Sequence, residues 1–195
     1  ETLSVPERGT ITNMGTETGA TTSIFPSDEV TKIFMETQGR GNDYQEIKAD
    51  ADASYGEEMH INLSGLEPLV ALPHSPGNVA RVADVVGTPV DQVCIGSCTN
   101  SSLRDLKIVA QLLKGRKISR GISLTVSPGT RQVLDHLTES GELGYLIKAG
   151  ARILECACGP CIGMGQAPAT DSVSLRTFNR NFKGRCGTES AGVYL

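Results

Sequence analysis

Short apolar strands alternate with amphipathic helices over the second half of this 195-residue chain, and this alternation most constrains its fold. The sequence predicts strands at 90–95, 122–126, 151–154 and 173–178. It predicts helices between them at 103–113, 130–137 and 143–149. Strands that alternate with helices form βαβ units, so we expect an α/β fold with three αβα layers and a mainly parallel sheet.

The first 74 residues follow a different pattern. A helix is predicted after the N-cap pair Ser27-Asp28, and Gly39 is expected to end it. Residues 42–58 are acidic and read as a solvated loop, whereas the alternation over 59–63 predicts a half-buried strand. The turn-rich segment 73–78 is the best linker in the chain. We therefore expect residues 1–74 to end one domain and 75–195 to form a second, similar one.

Composition excludes several classes of protein. The net charge is −4 and no run of Lys or Arg exceeds two, so the chain lacks the basic surface that nucleic acid requires. No apolar segment approaches the roughly 18 residues of a membrane span. Six unevenly spaced cysteines without a secretion signal indicate reduced thiols and a cytoplasmic protein. The missing initiator Met and the apolar C-terminus lead us to expect a fragment.

Three cysteines lie just after predicted strands. Cys98 follows the strand at 90–95, and Cys158 and Cys161 follow the strand at 151–154 as a Cys-Gly-Pro-Cys pair. In open α/β sheets, ligands bind beyond the carboxyl ends of the strands. A fully ligated [4Fe–4S] cluster takes four cysteines, so three predict a cluster in which one iron keeps an open, Lewis-acidic position.

A basic loop follows the last predicted strand and is expected to open on the same edge of the sheet. Arg180 and Arg185 stand in this loop, in an otherwise acidic chain. The planar guanidinium group matches a carboxylate with two hydrogen bonds. We expect these two side chains to bind a small di- or tricarboxylate.

Other interpretations of the cysteines stay open at this point. Cys158 and Cys161 could form the redox pair of a thiol–disulfide oxidoreductase, although the chain has no Trp and only Pro168 follows the pair. A structural zinc site is a second alternative, and an RNA-binding module is a third that the acidic charge disfavours. The remaining cysteines are expected to be structural or incidental: Cys94, Cys156 and Cys186.

Four segments resemble the aconitase superfamily, a group of [4Fe–4S] hydro-lyases that includes aconitase, homoaconitase and the large subunit of isopropylmalate dehydratase. They occur in the family's order and extend over nearly the whole chain. These segments are Asn-Met-Gly-Thr-Glu-Thr-Gly-Ala-Thr-Thr-Ser (13–23), Gly-Ser-Cys-Thr-Asn-Ser-Ser (96–102), Cys-Gly-Pro-Cys-Ile-Gly (158–163) and Phe-Asn-Arg-Asn-Phe-Lys-Gly-Arg (178–185).

The resemblance implies a role for each motif residue. Cys98, Cys158 and Cys161 would bind three irons of the cluster, and the fourth iron would face the substrate. Asn13 and Glu17 would contact the substrate hydroxyl or water, with Glu17 as a proton partner.

The same resemblance implies roles for residues of the basic loop after the last predicted strand. Asn179 would lie beside the cluster, and Arg180 and Arg185 would bind substrate carboxylates. The 158–163 segment looks more like the aconitase branch of the family. The resemblance therefore favours an aconitate hydratase of the tricarboxylic acid cycle, which isomerises citrate and isocitrate through cis-aconitate.

Homoaconitase and the large subunit of 3-isopropylmalate dehydratase are the alternatives within the family. The family's catalytic histidines and its mobile C-terminal domain have no match in this sequence. We therefore expect further domains to complete the enzyme, and we expect these 195 residues alone not to turn over citrate.

Overall fold

The computed structural model describes residues 2–195, and the chain divides into two compact units, Glu1–Glu67 and Pro68–Leu195. The boundary precedes the one predicted after residue 74. Residues 73–78 are not a linker, because they connect β1 (Leu69–Ala71) to β2 (Val79–Arg81), which pair in antiparallel orientation. The backbone of Ala71 also exchanges two hydrogen bonds with that of Leu195, so this hairpin belongs to the second unit.

The first unit contains two α-helices, α1 (Val5–Asn13) and α2 (Glu29–Thr37). Asp28 caps α2 by accepting a hydrogen bond from the backbone N–H of Thr31, and the chain turns away at Gly39 with a φ of +69°. Both ends of α2 are as predicted. Short 3₁₀ turns follow the two helices and close the unit: Met14–Thr18, Gly41–Asp43 and Leu63–Gly65.

The strand predicted over 59–63 is wrong. Residues 59–62 have no regular structure, and the side chains of Met59 and Ile61 are 77% and 62% exposed. Alternating apolar residues form a strand only when another strand pairs with the backbone and a core accepts the apolar face. Among the described residues, neither condition is met at this segment.

A buried ion pair joins the two helices of the first unit. The Arg8 guanidinium donates from Nη1 to Asp28 Oδ1 at 2.9 Å and from Nη2 to Asp28 Oδ2 at 2.7 Å. Arg8, at 7% exposed, is the only buried residue that the structure describes in this unit, and the Asp28 side chain is 23% exposed. Asp28 thus caps α2 and anchors α1 with the same carboxylate.

The second unit is built on a five-stranded sheet of parallel strands in the order β5-β4-β3-β6-β7. Its strands are β3 (Gln92–Ile95), β4 (Ser123–Val126), β5 (Arg152–Ile153), β6 (Val173–Arg176) and β7 (Gly192–Tyr194). Its helices are α3 (Leu103–Leu113), α4 (Arg131–Glu139) and α5 (Glu142–Ala149). The predicted α/β fold with a parallel sheet is confirmed.

The core lies between the three helices and one face of the sheet. Its fully buried members are Leu106, Ala110, Val126, Leu137 and Leu146. Because all five strands run the same way, the loops after β3, β5 and β6 leave from one edge of the sheet. Within residues 2–195, no helix is long and apolar enough to cross a membrane.

Candidate metal centre

The Cys98 loop begins with a glycine that no other residue could replace without strain. Gly96 follows β3 with a φ of +83°, and an added Cβ would lie 2.3 Å from the carbonyl oxygen of Ser127. The buried Ser101 hydroxyl donates to the carbonyl of Ser97 and closes the loop. This tight turn leaves Cys98 exposed at the edge of the sheet.

Asn100 ties this loop to the one that follows β6. Its backbone is left-handed, with a φ of +55°, and its Nδ2 donates to the carbonyl of Thr177 at 2.7 Å and to Asn179 Oδ1 at 2.9 Å. The amide therefore fixes the loops relative to one another. Loop geometry of this kind holds chemically active side chains at fixed separations.

The hydroxyl of Thr99 is buried and has no hydrogen-bond partner within residues 2–195. An unpartnered buried hydroxyl is uncommon, because burial without a hydrogen bond costs free energy. Thr99 directly follows Cys98, so a donor stands next to the first of the three cysteines. The Thr99 hydroxyl can therefore donate a hydrogen bond to a ligand that has acceptor atoms.

The Cys158–Cys161 turn rests on the loop after β6. The turn continues as a 3₁₀ helix over Pro160–Ile162, and Gly163 follows with a φ of +81°. A Cβ at Gly163 would lie 2.7 Å from the carbonyl oxygen of Cys186, so the two backbones approach closely. Cys186 has a structural role here: its buried thiol donates to the carbonyl of Cys161 over 3.7 Å and supports the turn.

The three predicted cysteines meet at this edge. The pKa of the Cys161 thiol is raised to about 11, mainly by burial and then by the neighbouring charges of Cys158 and Cys98, while a hydrogen bond with Ser97 opposes the rise. A charge shifts the pKa of another group only when the two lie near each other, so Cys98 and Cys158 are neighbours of Cys161. The fold therefore brings together cysteines that stand 60 residues apart in the chain.

The donors at this edge are three thiols, and thiolates are the ligands that iron–sulfur clusters use. Within residues 2–195, no group of three His, Cys, Asp or Glu side chains is placed to hold one metal ion. In an iron–sulfur cluster, each cysteine binds a different iron, so the sulfur atoms stay farther apart.

The basic loop after β6 lies beside the cysteines. Asn179 is buried and accepts from Asn100, Arg180 is half-buried, and Arg185 is exposed. Asn181 holds the loop, because its Nδ2 donates to the carbonyls of Leu72 and Val193 at 2.9 and 2.8 Å. The structure thus brings the predicted arginines to the same edge as the cysteines.

Sequence reasoning missed the buried side chains beneath this edge. Arg176 is 1% exposed, and its Nη1 donates to the carbonyl of Pro160 at 2.7 Å. Its Nη2 donates to Oε1 of the buried Gln92, also at 2.7 Å. The signal in the sequence was a charged residue inside a predicted strand that is otherwise uncharged.

Asn13 and Glu17 lie in the first unit. Asn13 is the last residue of α1, and Glu17 stands in the 3₁₀ turn that follows it. The cysteines and the arginine loop lie in the second unit. The contribution of Asn13 and Glu17 to the site therefore stays a prediction.

A parallel α/β sheet thus carries three cysteines and a basic loop at the carboxyl ends of its strands, where ligands bind in folds of this class. The profile of the aconitase family (aconitate hydratase) matches residues 1–195. The chain therefore belongs to the aconitase family.

The chain is similar to several large subunits of 3-isopropylmalate dehydratase. It is 44% identical over 196 residues to large subunit 2 of Archaeoglobus fulgidus, covering all of this chain and 47% of the relative. It is 41% identical over 198 residues to large subunit 1 of Thermotoga maritima, again covering all of this chain and 47% of the relative. The large subunit of Moorella thermoacetica is 43% identical over 196 residues, with coverage of 99% and 46%. The chain spans about half the length of these relatives.

Proposed function

We propose that this chain is the cluster-bearing part of a hydro-lyase of the 3-isopropylmalate dehydratase type. The observation that carries the proposal is the convergence of Cys98, Cys158 and Cys161 at the sheet edge, beside Arg180 and Arg185. Membership of the aconitase family and the names of the relatives support it.

The substrate is a small hydroxy dicarboxylate, with 3-isopropylmalate as the leading candidate. The relatives' names favour this alternative over the aconitate hydratase that the 158–163 segment suggested. Two guanidinium groups in one loop can each bind one carboxylate with two hydrogen bonds. Arg180 and Arg185 therefore provide one group for each carboxylate of isopropylmalate, but the same pair would also accept two arms of citrate.

The residues present divide the work of dehydration between them. Cys98, Cys158 and Cys161 would hold a [4Fe–4S] cluster, which supplies a Lewis-acidic iron when bound. Arg180 and Arg185 orient the substrate through its carboxylates, which lowers the entropic cost of reaching the reactive geometry.

Proton transfer at the substrate hydroxyl is assigned to Glu17, with Asn13 as a hydrogen-bonding partner of the same oxygen. A carboxyl group can give a proton to a departing hydroxyl and take it back in the reverse direction. Asn179 orients the ligands beside the cysteines, because its Oδ1 already accepts from Asn100 in the Cys98 loop.

A separate small subunit is the proposed partner. The relatives are named as large subunits, which implies a second polypeptide in those enzymes. We infer that further domains, on this protein or on a partner, complete the substrate site.

Anaerobic reconstitution with iron and sulfide tests the cluster. We expect broad absorption in the blue from the reconstituted chain and its loss in Cys98→Ser, because one iron then lacks its ligand. Cys94→Ser is the matched control, because Cys94 is buried in β3, shortly before Cys98 in the sequence, and is not a proposed ligand. A colourless wild-type protein with a reversible Cys158–Cys161 disulfide would contradict the proposal and favour a redox function.

A further inference from the structure

Arg176 is a buried cation whose hydrogen-bond partners are all neutral. Its Nε donates to Ser174 Oγ at 2.8 Å, and Nη1 donates to the carbonyl of Pro160 at 2.7 Å. Nη2 donates to Gln92 Oε1 at 2.7 Å and to the carbonyl of Gln166 at 3.1 Å. The guanidinium also lies over the Phe178 ring, 5.2 Å from its centroid. It is therefore well stabilised by neutral groups, but none of them carries a charge that cancels its own.

Within residues 2–195, Arg176 forms no ion pair with a carboxylate. The other buried arginine, Arg8, has Asp28 as its partner. Burying an ion without an opposite charge costs free energy, and proteins normally avoid it. The positive charge of Arg176 thus calls for a negative group that the side chains described do not supply.

The position of Arg176 indicates where that negative group lies. Pro160, whose carbonyl it binds, stands between Cys158 and Cys161, and Gln166 follows in the same loop. The charge of Arg176 also lowers the pKa of the nearby Cys186 thiol, against the larger effect of burial, which raises it. The guanidinium therefore lies against the Cys158–Cys161 turn, and its field reaches Cys186, whose thiol supports that turn.

A cluster held by three cysteines has the required sign. Each cysteine binds as a thiolate, and three thiolates outweigh the positive charge of the oxidised iron–sulfide core. Reduction by one electron adds further negative charge. A fixed buried cation stabilises the more negative state more strongly, because the low-dielectric interior screens it weakly.

We propose that Arg176 is the internal counter-charge of the cluster and a positioning residue for the Cys158–Cys161 turn. The inference rests on the proposed cluster function and goes beyond it, because it assigns a role in setting cluster charge and turn geometry to a residue of β6. Arg176 acts through the Pro160 carbonyl and through its field.

The test is the reduction potential of the reconstituted cluster, measured by mediated titration. Arg176→Gln is expected to shift the potential to more negative values, because the buried charge is gone. Arg176→Lys is expected to have a reduction potential close to that of the wild type, because lysine keeps the positive charge although it lacks the planar guanidinium group. A role in packing alone would affect both variants alike.

Arg152→Gln is the matched control. Arg152 is exposed and also holds the loop, with Nη1 donating to the carbonyl of Gly165 at 3.0 Å and to Gln166 Oε1 at 3.1 Å. Water screens an exposed charge, so its removal is expected to leave the potential unchanged.

A second variant keeps the test decisive if Arg176→Gln fails to fold. Gln92→Glu places a carboxylate against Nη2 of Arg176 and neutralises it inside the protein, at the loss of a weak 3.4 Å hydrogen bond to the carbonyl of Ala167. It is expected to lower the reduction potential of the cluster and to raise the melting temperature of the cluster-free chain.

The outcomes separate this inference from the proposed function. A wild-type chain that takes up no cluster would contradict the function, and the melting temperature of cluster-free Gln92→Glu would then decide whether Arg176 lacks a counter-charge. Unchanged potentials in folded Arg176→Gln and Gln92→Glu would overturn the counter-charge role, and so would an unchanged or lower melting temperature in cluster-free Gln92→Glu.

Discussion

At the scale of single residues, two arginines are buried within residues 2–195, and they differ in what balances their charge. Arg8 pairs with Asp28 through two hydrogen bonds, so the first unit contains a closed ion pair. Arg176 is surrounded by neutral acceptors. An ion pair whose charges balance contributes to local structure, whereas a buried cation without a counter-charge is suited to an anionic ligand.

The Arg8–Asp28 pair makes the stability of the first unit depend on pH. The hydrogen bond from Arg8 is the main reason that the pKa of Asp28 lies well below its ordinary value, and the N–H of Thr31 contributes to the shift. A lowered folded-state pKa means that the unfolded chain binds the proton first. The stabilisation is therefore complete above the unfolded pKa of about 4 and is lost as the pH falls below it.

Asp28→Asn separates this effect from capping, because Asn is an equally good N-cap but carries no charge. We expect the wild-type chain to lose amide protection in α1 and α2 as the pH falls from about 4, the unfolded pKa of Asp, to about 2. Hydrogen exchange on both proteins measures the difference. Equal pH slopes in wild type and Asp28→Asn would show that the ion pair does not stabilise the unit.

At the scale of elements, the site depends on how loops leave the carboxyl ends of β3, β5 and β6. Each loop has one residue that fixes its conformation: Gly96 after β3, Gly163 after Cys161, and Asn181 after β6. Asn100 then connects the first loop to the third. The cysteines and arginines are thus placed by backbone geometry and by amide side chains that have no part in the chemistry.

Gly96→Ala tests the importance of this geometry. Alanine at a left-handed φ costs about 1–2 kcal/mol, and the contact with the Ser127 carbonyl adds about 1–3 kcal/mol of overpacking. Gly115→Ala is the control, because Gly115 has a similar φ of +73° but open space around the missing Cβ. Denaturant unfolding should show a clearly larger loss in Gly96→Ala, and equal losses would mean that the loop relaxes around the new methyl group.

At the scale of the whole molecule, the chain corresponds to about half of its relatives and consists of two units. The second unit carries the cysteines and the arginine loop. The proposed proton-transfer residue Glu17 belongs to the first unit, whose described side chains include no buried apolar residue. A complete catalytic site requires every group in place at once, so partial sites bind ligands better than they catalyse.

We therefore expect the reconstituted chain alone to show cluster absorption but no dehydration of 3-isopropylmalate or citrate. Formation of the unsaturated product can be followed by its ultraviolet absorption. The intact large subunit of Thermotoga maritima combined with its small subunit serves as the positive control. Turnover of either substrate by the isolated chain would show that these 195 residues hold the whole active site.

Relative rates of the complete enzyme on isopropylmalate and citrate would identify the substrate. The proposed pair Arg180 and Arg185 would accept two carboxylates of either acid, so selectivity would come from groups that contact the rest of the substrate. A preference for citrate would contradict the assignment to the 3-isopropylmalate dehydratase type.

The sequence by itself determined the parallel α/β sheet, the limits of most helices and the placement of the cysteines and arginines after strands. These features follow from side-chain periodicity, caps and turn residues, which act over a few neighbouring positions. Tertiary structure alone decided the rest. The alternation over 59–63 found no partner strand, and the short β7 formed because β6 lies beside it.

The same holds for the residues around the three cysteines. Three features depend on contacts between distant parts of the chain. Asn100 connects two loops, Cys186 supports Cys161, and Arg176 is buried without a carboxylate. Burial and hydrogen-bond partners over such separations leave no periodic signal in the sequence. Only the folded chain shows which charge is balanced and which one is left for a ligand.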